Sequence, residues 1–337
     1  MPCHRKHRDD DGQGQRPGEP PLEVQQFGAL AVVQRGHLRL QRHAAFGART
    51  GMVLPHLGVH RTGVDGASNC RLGQLDRRRR GLTVLQEVHR QLPNESVVYF
   101  GDTARLPYGK RSPAEIIEYV YEILHWMQSE RVKMAIMACN TSSALALDVV
   151  RKDFDLPILG LILPGARAAV GKGKRIGVIA TTATVNSGAY VRAICESDPQ
   201  AQVFQADCPE FVPLIESDRI HDPYTLEIAK QYLQPLIEAN IDTLVLGCTH
   251  YPHLSGVLRQ ILPASVALVN PASYVVKAAG QELDLMGLRC TENRSGQAKT
   301  RFFVSGEPDR FAQVSRRWLG KLPLVEKVCL SPVELLS

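Results

Sequence analysis

Residues 134–141, MAIMACNT, and residues 243–250, TLVLGCTH, decide how this chain is read. Each is a short apolar run followed at once by Cys-Thr or Cys-Asn-Thr. Runs this short, bounded by polar residues, read as buried β-strands. Around them the pattern alternates. Leu82–Leu92 has helical spacing, and Ser96–Phe100 is a β-rich run ending in Gly101-Asp102. Ser112-Pro113-Ala114-Glu115 has the form of a helix start, with Ser three residues before Glu and Pro in the first turn. That helix continues to about Glu130, and Pro157–Leu161 is a strand again. The pattern then restarts with a strand over Arg175–Ala180, the polar turn Thr181–Thr184, a strand over Ala201–Ala206 and a helix over Asp222–Ala239. Strands alternating with helices predict an α/β fold with mainly parallel sheets, here as two similar domains facing each other across a central cleft. Ligands of open α/β sheets bind beyond the carboxyl ends of the strands. Two facing halves therefore bring Cys139 and Cys248 to one cleft.

Composition narrows the class. At 337 residues and 44% hydrophobic content the chain is long enough for two domains. No apolar run approaches the roughly 18–20 residues of a membrane span, and the N-terminus lacks the apolar segment of a signal peptide. The net charge of +6 is unevenly placed. Lys and Arg outnumber Asp and Glu by 14 to 7 in residues 1–80, whereas the remaining 26 and 27 nearly cancel. The body therefore offers no basic face to nucleic acid. None of the eight cysteines forms a C-x-x-C pair, and a disulfide scaffold belongs to shorter secreted chains. A cytoplasmic location with free thiols is expected. Residues 1–70, rich in Arg, His, Gln, Gly and Pro, are read as a disordered or misread extension.

Two thiols across a cleft suit proton transfer at a carbon centre. Inverting a stereocentre needs a base on one face and an acid on the other. A thiol with a reference pKa of about 8.5 can be tuned to either role. Helices starting just after each cysteine would favour the thiolate. His250 stands two residues past Cys248 as a proton partner, and Asp76 is a candidate for the same part beside Cys139. A single cysteine at a buried strand end is more often an inert small hydrophobe. The matched pair favours chemistry, while the other six cysteines keep the structural reading. No Walker-type phosphate loop or dinucleotide fingerprint is present, so no cofactor and no metal are expected.

The runs GLTVLQEVHRQLP (81–93), YFGDTARLPYGKRS (99–112), ACNTSSA (138–144), IGVIATTATVNSGAY (176–190), CPEFVPLIE (208–216) and LGCTHYPHL (246–254) together resemble the bacterial glutamate racemase family. The resemblance implies a cofactor-independent isomerase that interconverts L- and D-glutamate and supplies D-glutamate for peptidoglycan. It implies that Cys248 serves the L-enantiomer's proton and Cys139 the D-enantiomer's. Asp76, His250 and Glu216 are implied as their helpers. Asp76, Arg77, Tyr108, Gly109, Asn140, Thr141, Thr184, Thr249 and His250 are implied as substrate contacts. The small-molecule substrate glutamate is the expected partner, with no nucleic acid, no membrane and a homodimer as the oligomer the family suggests. The domains implied are 71–163 with 273–337, and 164–272.

One stretch departs from the family. Where it carries Asp-Ser-Gly-Val-Gly-Gly, this chain has Asp76 followed by Arg77-Arg78-Arg79-Arg80-Gly81. Arginine cannot replace glycine where the backbone must take positive φ or approach a ligand closely. This motivates a second expectation, a racemase fold acting as a binding or inhibitory partner. A nucleic-acid-binding role through the basic N-terminus ranks third.

Overall fold

The computed structural model describes residues 29–34, 82–108, 111–290 and 300–332. Its strands are β1 (Ala29–Gln34), β2 (Val97–Gly101), β3 (Val132–Met137), β4 (Ile158–Gly160), β5 (Arg175–Ala180), β6 (Gln202–Asp207), β7 (Thr243–Gly247), β8 (Ala267–Val269), β9 (Thr300–Val304) and β10 (Val325–Lys327). Its helices are α1 (Thr83–Gln91), α2 (Pro113–Ser129), α3 (Asn140–Leu145), α4 (Leu147–Val150), α5 (Ile162–Val170), α6 (Thr182–Ser187), α7 (Ala189–Ser197), α8 (Phe211–Glu216), α9 (Pro223–Glu238), α10 (Ser255–Ile261), α11 (Pro271–Leu285) and α12 (Pro308–Leu319).

The strands form two sheets, ordered β10-β9-β2-β1-β3-β4 and β6-β5-β7-β8. Every pairing is parallel except those of β1, which runs antiparallel to both β2 and β3. The expected α/β fold with mainly parallel sheets is therefore what the chain forms. The strand at Ala29–Gln34 is a correction to the reading of residues 1–70 as an extension outside the fold. Without it, the facing edges of β2 and β3 would have unpaired backbone groups in the middle of a sheet, and buried backbone polar groups demand partners. The remainder of residues 1–80 lies outside the described residues.

Local chemistry sets the elements that aim the site. Ser112 accepts from the backbone N–H of Glu115, and the Glu115 carboxylate accepts from the Ser112 N–H at 2.9 Å. This reciprocal cap, with Pro113 at the first position, starts α2 where the sequence placed it. Asp222 and Asn270 likewise cap α9 and α11 through their side chains.

Alternation along the strands splits the first sheet's core in two. Val98, Phe100, Ala135 and Met137 face α2, whereas Val97, Tyr99, Met134 and Ile136 face α1 and α11. Both faces are covered, which is why these strands read as continuous apolar runs. The second sheet does the same. Leu244 and Leu246 pack toward α9 and α10, while Val245 packs toward α5 and α7. Among the described residues no helix is long and apolar enough to cross a membrane.

Candidate active site

Cys139 follows β3 with only Ala138 between and occupies the N-cap position of α3, and Cys248 directly follows β7. Each thiol thus leaves the carboxyl end of a parallel strand. The two are electrostatic neighbours. Burial pushes the Cys139 thiol up, backbone N–H donation from Ser142 pulls it down, and charge on Cys248 pushes it up again. The net direction is upward. The expectation that helix starts favour a thiolate at each cysteine is corrected here. The six-residue α3 does not offset desolvation, and Cys248 is followed by a turn and a short 3-10 segment, Tyr251–Leu254.

Cys248 has a different environment. Its Sγ lies 3.7 Å from His250 Nδ1, and His250 Nε2 lies 3.2 Å from Glu216 Oε1. Burial alone would depress the imidazole. Hydrogen bonds to Cys248 and Glu216 outweigh it, and the His250 pKa is pushed up to about 10. The sign for stability follows. A raised folded-state value means the folded chain holds more protons than the unfolded one between about pH 6.5 and 10. This contribution is complete below 6.5 and is lost as pH rises through 10. The denaturation midpoint is expected to fall across that window, and to fall less in His250→Gln; equal slopes would exclude His250 as the source.

The other implied contacts line the same region. Tyr108 is buried, and its hydroxyl donates to Asp102 Oδ2 at 2.5 Å. Burial, then Asp102, push that hydroxyl well above its ordinary value, and charge on Cys139 adds to the effect. Asp102 also accepts from Ser305 Oγ at 2.6 Å and has Arg105 Nη1 at 3.7 Å. Thr141 and Thr184 hydroxyls are 3.3 Å apart, and Thr181 completes a triangle at 3.1 and 3.0 Å. Asn140 Oδ1 accepts from Tyr190 at 2.7 Å. The carbonyl of Thr249 accepts from Thr83 Oγ1 at 3.1 Å, tying the second cysteine's loop to α1 of the other half. Asp76, Arg77 and Gly109 lie outside the described residues.

The sequence reading did not single out Asp102, Thr181, Tyr190 or Ser305. Asp102 and Ser305 directly follow β2 and β9, and a polar residue at the carboxyl end of a parallel strand was the available signal. Gly247, before Cys248, has a clear steric reason. A Cβ there would lie 2.8 Å from the Ile179 carbonyl oxygen and 3.1 Å from Tyr190 Cε2. Gly247→Ala is expected to cost about 1–3 kcal/mol, as overpacking does, read from chemical denaturation.

Among the described residues no group of three or more His, Cys, Asp or Glu could hold a metal ion. Cys139, Cys208, Cys248, Cys290 and Cys329 form no disulfide, whereas Cys195 is disulfide-bonded, so the expectation of reduced thiols does not extend to it.

Comparison with known proteins agrees with the geometry. The family model described as Asp/Glu/Hydantoin racemase matches residues 81–279. A glutamate racemase of Synechocystis sp. is 63% identical over 266 residues, covering 78% of this chain and 94% of that protein. Among solved structures, a glutamate racemase isoform from Bacillus anthracis superposes with TM-score 0.70 at 35% identity, covering 75% of this chain and 94% of that one. The glutamate racemase of Francisella tularensis, solved in complex with D-glutamate, gives 0.68 at 33%, covering 74% and 92%. With paired strand-end thiols, the domain match and relatives spanning three quarters of its length, the chain belongs to the Asp/Glu/hydantoin racemase family and, within it, to the glutamate racemases.

Proposed function

We propose that this chain interconverts L- and D-glutamate by two-base proton transfer between Cys139 and Cys248, without a cofactor. The observation that carries the reading is the unequal pair. Both thiols leave the carboxyl ends of parallel strands and feel each other's charge, yet their surroundings differ. Cys139 is pushed toward the protonated form, and Cys248 sits against a raised His250 that Glu216 supports. The Cys248 thiolate takes the α-proton, the electron pair left on Cα delocalises into the α-carboxylate, and the Cys139 S–H delivers a proton to the opposite face. His250 balances the charge at Cys248. The reverse direction begins from the opposite protonation state.

Tyr108, Asn140, Thr141, Thr184 and Thr249 supply hydroxyl, amide and backbone donors for the two carboxylates of glutamate, Asp76 would complete the ammonium side, and Arg77, a donor only, would pair with a carboxylate. The D-glutamate bound by the Francisella tularensis protein is consistent with that substrate. The chain would act in the cytoplasm, its D-glutamate feeding peptidoglycan synthesis, and a homodimer is the proposed assembly.

Circular dichroism or chiral chromatography of purified protein with either enantiomer tests the reading. Equilibration to a racemate is the expected result, and a folded sample that changes neither enantiomer contradicts it. Arg77–Arg80 favour a second reading, a racemase fold that binds without turnover. Activity that appears only after Arg77–Arg80 are replaced by Ser-Gly-Val-Gly would select it.

A further inference from the structure

Tyr190 is the second residue of α7, in the half that carries Cys248, and its side chain is fully buried. Two contacts define its place. Its ring lies against Gly247, where an added Cβ would meet Cε2 at 3.1 Å, and Gly165 of α5 gives it room on another side. Its hydroxyl crosses to the other half and donates to Asn140 Oδ1 at 2.7 Å. One rigid side chain therefore touches the residue immediately before Cys248 and the residue immediately after Cys139.

Asn140 is itself almost fully buried. With Oδ1 occupied by Tyr190, its Nδ2 finds no hydrogen-bond partner among the described residues. A buried amide donor without an acceptor is costly, and such groups in folded proteins have a reason to persist. Here the reason is supplied by position, one residue from a thiol at the strand end. The Tyr190 bond fixes which end of the amide is occupied, leaving the NH₂ as the donor free for a ligand carboxylate.

We infer that Tyr190 is a positioning residue: it acts through Asn140, holding the amide so that Nδ2 is presented to the substrate, while its ring sets the spacing between the two cysteine loops. This rests on the proposed glutamate chemistry and adds a residue to it.

Tyr190→Phe keeps the ring on Gly247 and removes only the hydroxyl. The expected result is a KM for both glutamate enantiomers, and a dissociation constant for D-glutamate by calorimetry, raised about tenfold, the scale of one hydrogen bond. The kcat should fall by less than about threefold, because the thiols remain in place. Loss of folded protein alone would lower apparent kcat and leave KM unchanged, so the split distinguishes positioning from general stability. Asn140→Ala should show the same rise, and adding Tyr190→Phe to it should change affinity by less than about twofold, since residues acting as one unit are non-additive. That comparison of double with single variant also decides the matter if Tyr190→Phe alone folds poorly. Unchanged affinity in Tyr190→Phe, or a double variant whose losses multiply, overturns the role of Tyr190 while leaving the racemase reading intact. Failure of the unmodified chain to bind either enantiomer overturns the substrate reading and this assignment together.

Discussion

Racemisation is expected to fall by about 10²–10⁴-fold in both Cys139→Ser and Cys248→Ser, the range typical of losing a positioned general acid or base. Serine keeps the shape, and its hydroxyl is a far weaker acid than a thiol. Every turnover in either direction needs both residues, so the two losses should be similar. Partial reactions separate them. Elimination of chloride from a glutamate carrying chlorine at Cβ requires only the abstracting base. Cys139→Ser should still process the L-configured compound through Cys248, and Cys248→Ser should retain the D-configured one. The asymmetry between the thiols sharpens this. Cys248 keeps His250 at 3.7 Å and Glu216 behind it whatever happens at Cys139. Cys139 has no such histidine among the described residues and is pushed up mainly by its own burial. The retained elimination should therefore be faster in Cys139→Ser. Equal loss of both eliminations in both variants would refute the assignment of one face to each thiol. Full racemase activity in either variant would make that cysteine structural. The series is run in parallel with Arg77–Arg80 replaced by Ser-Gly-Val-Gly, so that a silent loop is not mistaken for a silent thiol.

The second large effect concerns stability. Lys133 Nζ lies 2.7 Å from Glu95 Oε2, with the two side chains only 5% and 1% exposed. Lys133 also donates to the Leu288 carbonyl at 2.6 Å, and Glu95 Oε1 accepts from the Cys290 N–H at 2.8 Å. Removing one partner strands a charge in a low-dielectric interior. Lys133→Met or Glu95→Gln is expected to cost about 3–5 kcal/mol in urea denaturation, whereas Lys133→Met with Glu95→Leu should recover most of it. A single-variant cost below about 1 kcal/mol would show that water reaches the pair. The same bonds fasten residues 288–290 to β3 and to the loop before β2, so local protection from hydrogen exchange should fall at Leu288 and Cys290 first.

What the sequence made legible follows from the range of the interactions. The strands that bear the cysteines, the Ser112 cap and the helix over 223–238 are encoded locally, by apolar period and capping chemistry, and they form where the residues indicate. His250 is two residues from Cys248, so its contact was within reach of a motif. Glu216 required the family resemblance, because 32 residues separate it from Cys248 and nothing in FVPLIE marks an acid that turns inward. Tyr190 and Ser305 were not visible. Their partners Asn140 and Asp102 lie 50 and 203 positions away, and only the assembled sheets bring them together. The strand at Ala29–Gln34 was missed for a related reason. Five apolar residues among basic and polar neighbours carry no period, and what makes them a strand is the slot between β2 and β3. Asp76 and Arg77–Arg80, where the sequence departs from its family, lie outside the described residues.

The two sheets draw on the chain very differently, and this has a consequence for biosynthesis. The second sheet takes all four strands from residues 175–269, one unbroken stretch. The first collects β1 from residues 29–34 and β9 and β10 from residues 300–327, and those two groups flank β2 on either side. As the polypeptide leaves the ribosome, the later half of the cleft can therefore be finished while the earlier half still lacks its last neighbours. The usual vectorial order, N-terminal unit first, would then be inverted. Cys248 would find its mature surroundings before Cys139 does, and a ribosome stalled some way short of residue 300 would present a completed second sheet beside a β2 edge still open to pairing with other nascent chains.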